Sequence, residues 1–100
     1  MNPMQQMMQQ AQRMQRELAK AHAQLDEEVF TVKKAGIVEV EVKGSREVVS
    51  IKIDDAALNP DDKDMVEETI IMAINDALQQ IKAASDAIDE RITGQSKGMF

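Results

Sequence analysis

Apolar residues in the first quarter of the chain recur at alternating spacings of three and four, with Gln, Glu, Arg and Lys between them. This is the spacing of a heptad seam, and the intervening residue types favour helix. Pro3 suits a first helical turn, so the pattern predicts a helix over residues 3–27, about 37 Å long. The seam comprises Met4, Met7, Ala11, Met14, Leu18, Ala21 and Leu25.

A period of two then replaces the helical period. Three short runs alternate apolar with polar residues, and the turns Lys34-Ala35-Gly36 and Gly44-Ser45-Arg46 separate them. Such runs predict a three-stranded antiparallel meander with one apolar face. The apolar positions are Phe30, Val32, Val38, Val40, Val42, Val49, Ile51 and Ile53.

A second long helix is predicted to begin at Asn59-Pro60, since Asn is a good N-cap and Pro fits the first helical position. Apolar residues keep helical spacing as far as Ile92, and Gly94 predicts the end. This helix is about 33 residues long, on the order of 50 Å. The predicted fold class is α+β, with one domain over residues 1–94 and a flexible C-terminal tail over residues 95–100.

Helices of these lengths exceed a compact 100-residue domain, whose radius of gyration is about 13 Å. A three-stranded sheet covers only part of their apolar stripes, and soluble monomers seldom expose a large apolar patch. We therefore expect a homodimer, formed by helix packing, sheet contacts or both. The residues predicted for the dimer or core seam are Met7, Met14, Leu18, Leu25, Val38, Val40 and Val42.

Several short runs, taken together, resemble the YbaB/EbfC family. They are residues 7–15, 36–40, 43–44, 53–54, 62–68 and 75–78. Each run is compositionally ordinary, but their order and spacing cover nearly the whole chain. The resemblance implies a tweezer-like dimer with sheets at its centre and helices as arms. It also implies a nucleoid-associated, largely sequence-tolerant DNA-binding role.

The chain departs from the family pattern in two places. The family usually enters its central strand through a more glycine-rich stretch than Lys33-Lys34-Ala35-Gly36, and it often carries a basic residue where this chain has Glu39. The first departure affects the turn before the strand. The second departure, Glu39, removes a positive charge from a chain that the resemblance implies to be a DNA-binding protein.

The charge pattern identifies candidate DNA contacts despite a net charge of −6. Residues 1–53 carry eight Lys and Arg against seven Asp and Glu, whereas residues 54–100 carry four against eleven. Arg13, Arg16 and Lys20 lie at spacings of three and four on the first helix. They are either phosphate contacts for double-stranded DNA or a solvated helix flank. Arg46, in a turn, is a further candidate.

The remaining composition argues against other function classes. There is no Cys, one His (His22) and no glycine-rich phosphate loop, so we expect no enzyme, metal site, cofactor or small-molecule substrate. No apolar run approaches the roughly 20 residues of a membrane span, so we expect a cytoplasmic protein, and the family resemblance implies a location in the nucleoid. The alternative function is a protein-interaction or scaffold dimer that uses its Met-rich helices, which the acidic pI of about 4.7 favours.

Overall fold

The computed structural model describes residues 2–94, so the predicted tail at 95–100 lies outside the described residues. The order of elements confirms the predicted α+β fold, a helix followed by an antiparallel meander and a second helix. The elements are helix α1 (Pro3–Glu27), strands β1 (Val29–Lys34), β2 (Val38–Lys43) and β3 (Val48–Ile53), 3-10 turns at Asp55–Ala57 and Pro60–Asp62, and helix α2 (Lys63–Thr93).

Both ends of α1 are capped. The Asn2 side chain accepts a hydrogen bond from the Gln5 N–H at 2.8 Å, which satisfies one of the free donors of the first turn. At the other end, the turn between β2 and β3 packs against the helix: the Gly44 N–H donates to the Glu28 carbonyl at 2.8 Å, and the Ser45 N–H donates to the Asp26 carbonyl at 3.2 Å. The hairpin turn therefore donates hydrogen bonds to two backbone carbonyls at the C-terminal end of α1.

The loop between β1 and β2 has three residues, 35–37, because Lys34 pairs with Val38, and it contains a β-turn over residues 34–37. The Ile37 N–H donates to the Lys34 carbonyl at 3.1 Å, and the two central residues, Ala35 and Gly36, have φ of 54° and 68°. Positive φ at both positions is typical of a type I′ turn, whose twist matches that of the adjoining strands. Ala35 adopts the left-handed conformation without being a glycine. The stretch before the central strand, which has fewer glycines than is usual in the family, therefore still forms a tight turn.

The sheet has the order β1-β2-β3 and one irregularity. Val40 lies opposite Val32 on one side and Ile51 on the other, so these three residues share a face. Between Glu41 and Val42 the register with β3 shifts, and Val48 lies opposite Val42. Simple alternation predicts Val49 on the apolar face, but the shift places Val48 opposite the core residue.

The second helix begins with a tighter turn than its sequence predicts. Asn59 accepts a hydrogen bond from the Asp61 N–H at 3.0 Å, as expected for a cap, but Pro60–Asp62 form a 3-10 turn and the α-helix starts at Lys63. At the far end Gly94 has φ of 71° and its N–H donates to the Glu90 carbonyl at 2.8 Å, as in a left-handed C-terminal cap.

The core lies between α2 and the first two strands. Ala73, Ala77 and Ile81 are completely buried on the side of α2 that faces the sheet. The two alanines have short side chains, which lets the helix backbone approach the strands closely. The sheet residues buried with them are Val32, Val38, Val40 and Val42.

Beyond the sheet, the second half of α2 packs against α1. The helices are antiparallel, and the His22 Nε2 and Asp89 Oδ1 atoms lie 2.7 Å apart across their contact. The described chain is consequently elongated, with a radius of gyration of 19.5 Å and extents of 71 × 26 × 14 Å. Within residues 2–94, neither long helix is apolar enough over a sufficient length to cross a membrane.

We predict that Gly44→Ala severely destabilises the fold. A Cβ at residue 44 would lie 1.8 Å from the Leu25 carbonyl oxygen, so the hairpin turn would have to separate from α1. We expect a loss of at least about 3 kcal/mol in the free energy of unfolding, measured by urea denaturation. Gly36→Ala is the matched control: its Cβ would meet nothing within 4 Å, so only left-handed strain of about 1 kcal/mol applies. Equal losses would contradict this explanation.

A second prediction concerns acid stability. The Lys34 ammonium, 2.8 Å from Asp76, lowers the pKa of Asp76 through a hydrogen bond and its charge, although partial desolvation opposes this. The unfolded state therefore binds this proton at higher pH than the folded state. The pair's stabilisation is present above about pH 4 and is lost as the pH falls through the folded-state pKa.

Asp76→Asn should accordingly reduce the stability at neutral pH and flatten its decline in acid, as measured by denaturation at a series of pH values. Glu68→Gln, which removes an exposed carboxylate with no ion pair among residues 2–94, is the control and should leave the decline unchanged. An acid decline in Asp76→Asn as steep as that of the parent protein would contradict the prediction.

Candidate nucleic-acid interface

The first helix carries three exposed cations on one side. Arg13, Arg16 and Lys20 follow one another at spacings of three and four residues, so they project from neighbouring positions of the helix surface. They extend over about 10 Å along the helix axis. We call these three residues the basic ridge. Since α1 lies along the second half of α2 rather than over the sheet, the ridge stands on the projecting part of the molecule.

Ion pairing distinguishes the basic ridge from the other cations. Within residues 2–94 no carboxylate oxygen lies within 4.0 Å of a ridge cation, whereas six lysines elsewhere have such a partner. A paired lysine must exchange its carboxylate for a phosphate, whereas a ridge cation exchanges only water and counterions. The pairs are Lys33–Glu39, Lys34–Asp76, Lys43–Glu27, Lys52–Glu39, Lys63–Glu67 and Lys82–Asp86.

Arg91 of α2 adjoins the ridge, although its position in the sequence gives no sign of this. It lines the groove between the two helices together with Gln24, and Gln24 lies one turn beyond Lys20 on the same side of α1. Arg91 is exposed and has no ion pair within the described part of the chain. Its place in the last turn of a helix has a local explanation, because cations are favourable there. Only the antiparallel pairing of α1 and α2 brings it beside the ridge.

Arg46 occupies a different position. It lies in the turn between β2 and β3 with φ of 74°, and its N–H donates to the Lys43 carbonyl at 2.7 Å. That turn contacts the C-terminal end of α1 at Asp26, which is about 9 Å along the helix from Lys20. The structure therefore places Arg46 at the base of the arm and separates it from the ridge.

Glu39, one of the two departures from the family pattern, offsets part of the lysine charge on the outer face of the sheet. Its carboxylate lies 3.5 Å from Lys33 Nζ and 3.7 Å from Lys52 Nζ, so one acid on the central strand faces a lysine on each neighbour. Both lysines are largely exposed. The glutamate thereby makes this face a weaker candidate for phosphate contact than the basic ridge.

The acids at the start of α2 lie away from the ridge. Five exposed or half-buried acids precede or occupy the first turns of α2, whereas Arg91 lies near its other end. From Glu68 to Arg91 the helix axis rises about 35 Å, and charges are largely screened beyond about 8–10 Å at physiological salt. These five acids therefore contribute little to the field at the ridge, whereas Glu17 of α1 shares a groove with Arg13. The five acids are Asp61, Asp62, Asp64, Glu67 and Glu68.

The predicted seam residues fall into three environments. The strand residues and Leu25 are buried, and Met14 and Leu18 are half-buried between the helices. Met7 is 70% exposed because α2 ends before reaching it. The buried strand residues are Val38, Val40 and Val42.

The one histidine of the chain lies between the helices of the arm. His22 interacts with Asp89 between the helices, and within residues 2–94 no three His, Asp or Glu side chains are arranged to hold a metal ion. The site is thus a charged surface on a rod-shaped arm, suited to an extended polyanion.

Comparison with known proteins identifies the family. A sequence model of the YbaB/EbfC DNA-binding family matches residues 1–96. The chain belongs to this family. The match confirms the resemblance that the short runs indicated, and the family is a nucleoid-associated, DNA-binding one.

Individual relatives agree with this assignment. A nucleoid-associated protein of Agathobacter rectalis is 41% identical over 89 residues, covering 88% of this chain and 79% of the relative. A nucleoid-associated protein of Chloroflexus aurantiacus is 34% identical over 96 residues, covering 95% and 96%. The crystal structure of a Helicobacter pylori protein has a TM-score of 0.75 at 22% identity, covering 93% of this chain and 98% of that one, and it supports the fold.

Proposed function

We propose that the protein binds double-stranded DNA in the bacterial nucleoid as a homodimer, mainly through phosphate contacts and with limited sequence specificity. The observation that carries the proposal is the difference in ion pairing between the basic ridge, which is unpaired among the described residues, and the lysines of the sheet, which are paired. Phosphate contacts release condensed counterions and supply most of the affinity of non-specific binding.

Limited specificity follows from the kind of side chain available. Arg13, Arg16 and Lys20 lie on a helix surface within about 10 Å. Each strand of duplex DNA carries one phosphate per about 3.4 Å of helix axis, so the three cations can lie against one stretch of the backbone. Phosphate contacts position a protein on DNA without reading its sequence. A chain with two aromatic residues in total also lacks the stacking surface of a single-strand binder, which favours duplex DNA as the ligand.

The uncovered edge of the sheet supports the homodimer. Ile51 shares a face with Val40 across the strands, yet Val40 is completely buried and Ile51 is 44% exposed, because α2 covers β1 and β2 and not β3. Ile53 on the same strand is half-buried. An apolar strand at a sheet edge is a ready surface for a second chain.

The neighbouring flank of α2 continues this apolar surface. Asp76 pairs with Lys34 of β1, which establishes which flank of α2 faces β1. By the 100° step of a helix, Ile70 and Ile74 lie on the opposite flank, towards β3, and both are half-buried. A second copy packed against β3 and this flank would cover Ile51 and leave the α1 arms of both protomers projecting.

The test of DNA contact is a salt series of duplex binding by fluorescence anisotropy. Arg13→Gln/Arg16→Gln/Lys20→Gln should weaken binding and make the dependence of log K on log salt shallower by about 0.9 for each phosphate that the variant no longer neutralises. The matched control is Lys63→Gln/Lys82→Gln, which removes two exposed lysines that are already ion-paired and should change the slope little. Equal effects of the two variants would refute the assignment of the DNA contacts to the basic ridge. No binding by the parent protein at low salt would refute the proposal that the protein binds DNA.

The homodimer is tested by the mass in solution, measured by light scattering across a dilution series. Ile51→Lys places a charge in the proposed interface and should raise the dimer dissociation constant at least about 100-fold, equivalent to about 2.7 kcal/mol. Met72→Lys is the control, since Met72 is more exposed, at 58%, but lies on the flank of α2 that faces β1. A dimer that tolerates Ile51→Lys as well as Met72→Lys would exclude this interface.

A further inference from the structure

The first three turns of α1 carry apolar side chains that no other described part of the chain covers. Residues 2–13 are all exposed, and four apolar residues among them line one continuous groove. An isolated helix shorter than about 12–15 residues is marginal in water, and contiguous exposed apolar side chains mark interaction sites. We call the four residues the methionine stripe. They are Met4, Met7, Met8 and Ala11.

The stripe is the uncovered end of a seam that α2 covers further along. Leu25 shares a groove with Ile88, whereas Met14 shares one with Ile92, so the helices are antiparallel and α2 reaches as far as Met14. Met7 precedes Met14 by one heptad and so lies on the same side of α1. This side of α1 already packs against a helix of the same chain, and the partner that fits its remaining part is a further apolar helix.

A second copy of α1, laid antiparallel on the first, supplies such a helix. When the two helices are centred at the level of Gln9, Met7 of each copy lies opposite Ala11 of the other, so a long side chain faces a short one. Met4 of each copy then lies opposite Met14 of the other, where α2 stops covering the seam. The overlap is about 15 Å long, close to the length of the uncovered part of each α1.

The side chains of this segment favour a second copy over a charged partner. Residues 2–12 contain no charged side chain, only Asn, Pro, Met, Gln and Ala. Two copies therefore meet here without like-charge repulsion, and the glutamine amides beside the stripe act as both donors and acceptors towards each other. A phosphate or an acidic peptide would find no cationic side chain in this segment.

The helix dipoles are complementary in the same arrangement. Asp89 lies beside His22, so Gly94, where α2 ends, lies near Glu17 of the antiparallel α1. The N-terminus of the second copy's α1 comes opposite Arg16 of the first, directly after the end of α2, and the two helices point in the same direction. The negative C-terminal end of one dipole therefore faces the positive N-terminal end of another, which is stabilising.

The contact also leaves the basic ridge accessible. Arg13 follows Met4 by nine residues, which places it about 180° around α1 from that methionine. In the antiparallel arrangement the two copies of Arg13 are about 12 Å apart along the axis, and the two copies of Lys20 about 33 Å, distances at which physiological salt screens most of their repulsion. We propose that the methionine stripe binds the methionine stripe of a second copy of this chain, with the two α1 helices antiparallel.

Two self-association sites on one chain lead to assembly beyond a dimer. A dimer formed at the sheet edge has two arms, and each arm ends in a methionine stripe. Pairing the stripes of neighbouring dimers joins them into a closed tetramer or a longer chain, in which the ridges of the joined dimers are available to separate stretches of DNA. The stripe contact itself does not depend on DNA binding or on the sheet interface.

The first test is the mass in solution, measured by light scattering over a dilution series without DNA. Met4→Gln/Met7→Gln should lower the mass reached at high concentration about two-fold or more, because these changes keep side-chain length while removing apolar surface. The matched control Gln6→Ala/Gln9→Ala, on the opposite side of α1, should leave the mass unchanged. A stripe covered from within its own chain or by a different protein would leave the mass of Met4→Gln/Met7→Gln equal to that of the parent, and this result would overturn the proposal.

Ile51→Lys separates this contact from the sheet interface. The Ile51→Lys chain keeps the stripe and should still form dimers, whereas Ile51→Lys/Met4→Gln/Met7→Gln should be monomeric. If the sheet interface is wrong, Ile51→Lys has no effect on the mass, yet Met4→Gln/Met7→Gln still lowers it. An Ile51→Lys chain that is monomeric at every concentration would exclude the stripe contact.

The antiparallel arrangement is tested by disulfide exchange, since the chain contains no native Cys. Chains that carry Met7→Cys or Ala11→Cys are mixed and equilibrated in a glutathione buffer. The heterodisulfide should exceed several-fold the amount expected from random pairing, because Met7 of one copy lies opposite Ala11 of the other. Random proportions, or an excess of either homodisulfide, would contradict the antiparallel contact.

Discussion

The shape of the molecule depends on a single apolar stripe along α2, because the first part of this stripe packs against the sheet and the second part packs against α1. Ala73 and Ala77 lie against the strands, and their small side chains allow the close contact that buries the central valines completely. Further along, past Ile81, the stripe leaves the sheet and meets α1 near Ile88. Since α2 is longer than the sheet is wide, part of it must project. The projecting arm, the uncovered third strand and the elongated shape all follow from this mismatch.

The difference in length between α2 and the sheet also separates the ion-paired charges of the sheet from the cations of the arm. The sheet region collects cations and anions at distances that allow pairing, as at Glu39 between Lys33 and Lys52. On the arm, Arg13 and Arg16 have no carboxylate oxygen within 4.0 Å among the described residues, although Glu17 shares a groove with Arg13. The acids at the start of α2 are several screening lengths away along the helix. A protein of net negative charge can therefore present a positive surface, provided its shape is long enough to keep the two regions apart.

Much of the fold was predictable because its signals are local. The alternation of apolar residues, the cap at Asn59 and the turn at Gly36 each act within a few residues, and the structure has all three. The register shift beside Val42 was not predictable from alternation, because a bulge adds a residue to one strand only and is recognised by its pairing. The α-helical start at Lys63, after a 3-10 turn, likewise depends on how the connector packs rather than on the capping residue.

For the candidate site, the spacing of Arg13, Arg16 and Lys20 was enough to place them on one side of a helix, since residues three and four apart are neighbours on a helix surface. Which cations are unpaired among residues 2–94 depends on how the elements pack, because partners such as Lys34 and Asp76 lie far apart in sequence. The packing also puts Arg91 in a groove with Gln24 and Arg46 in the turn at the C-terminal end of α1, and it leaves Ile51 uncovered while Val40 is buried. Periodicity specifies the side of an element on which a residue lies, but what covers that side depends on how the elements pack.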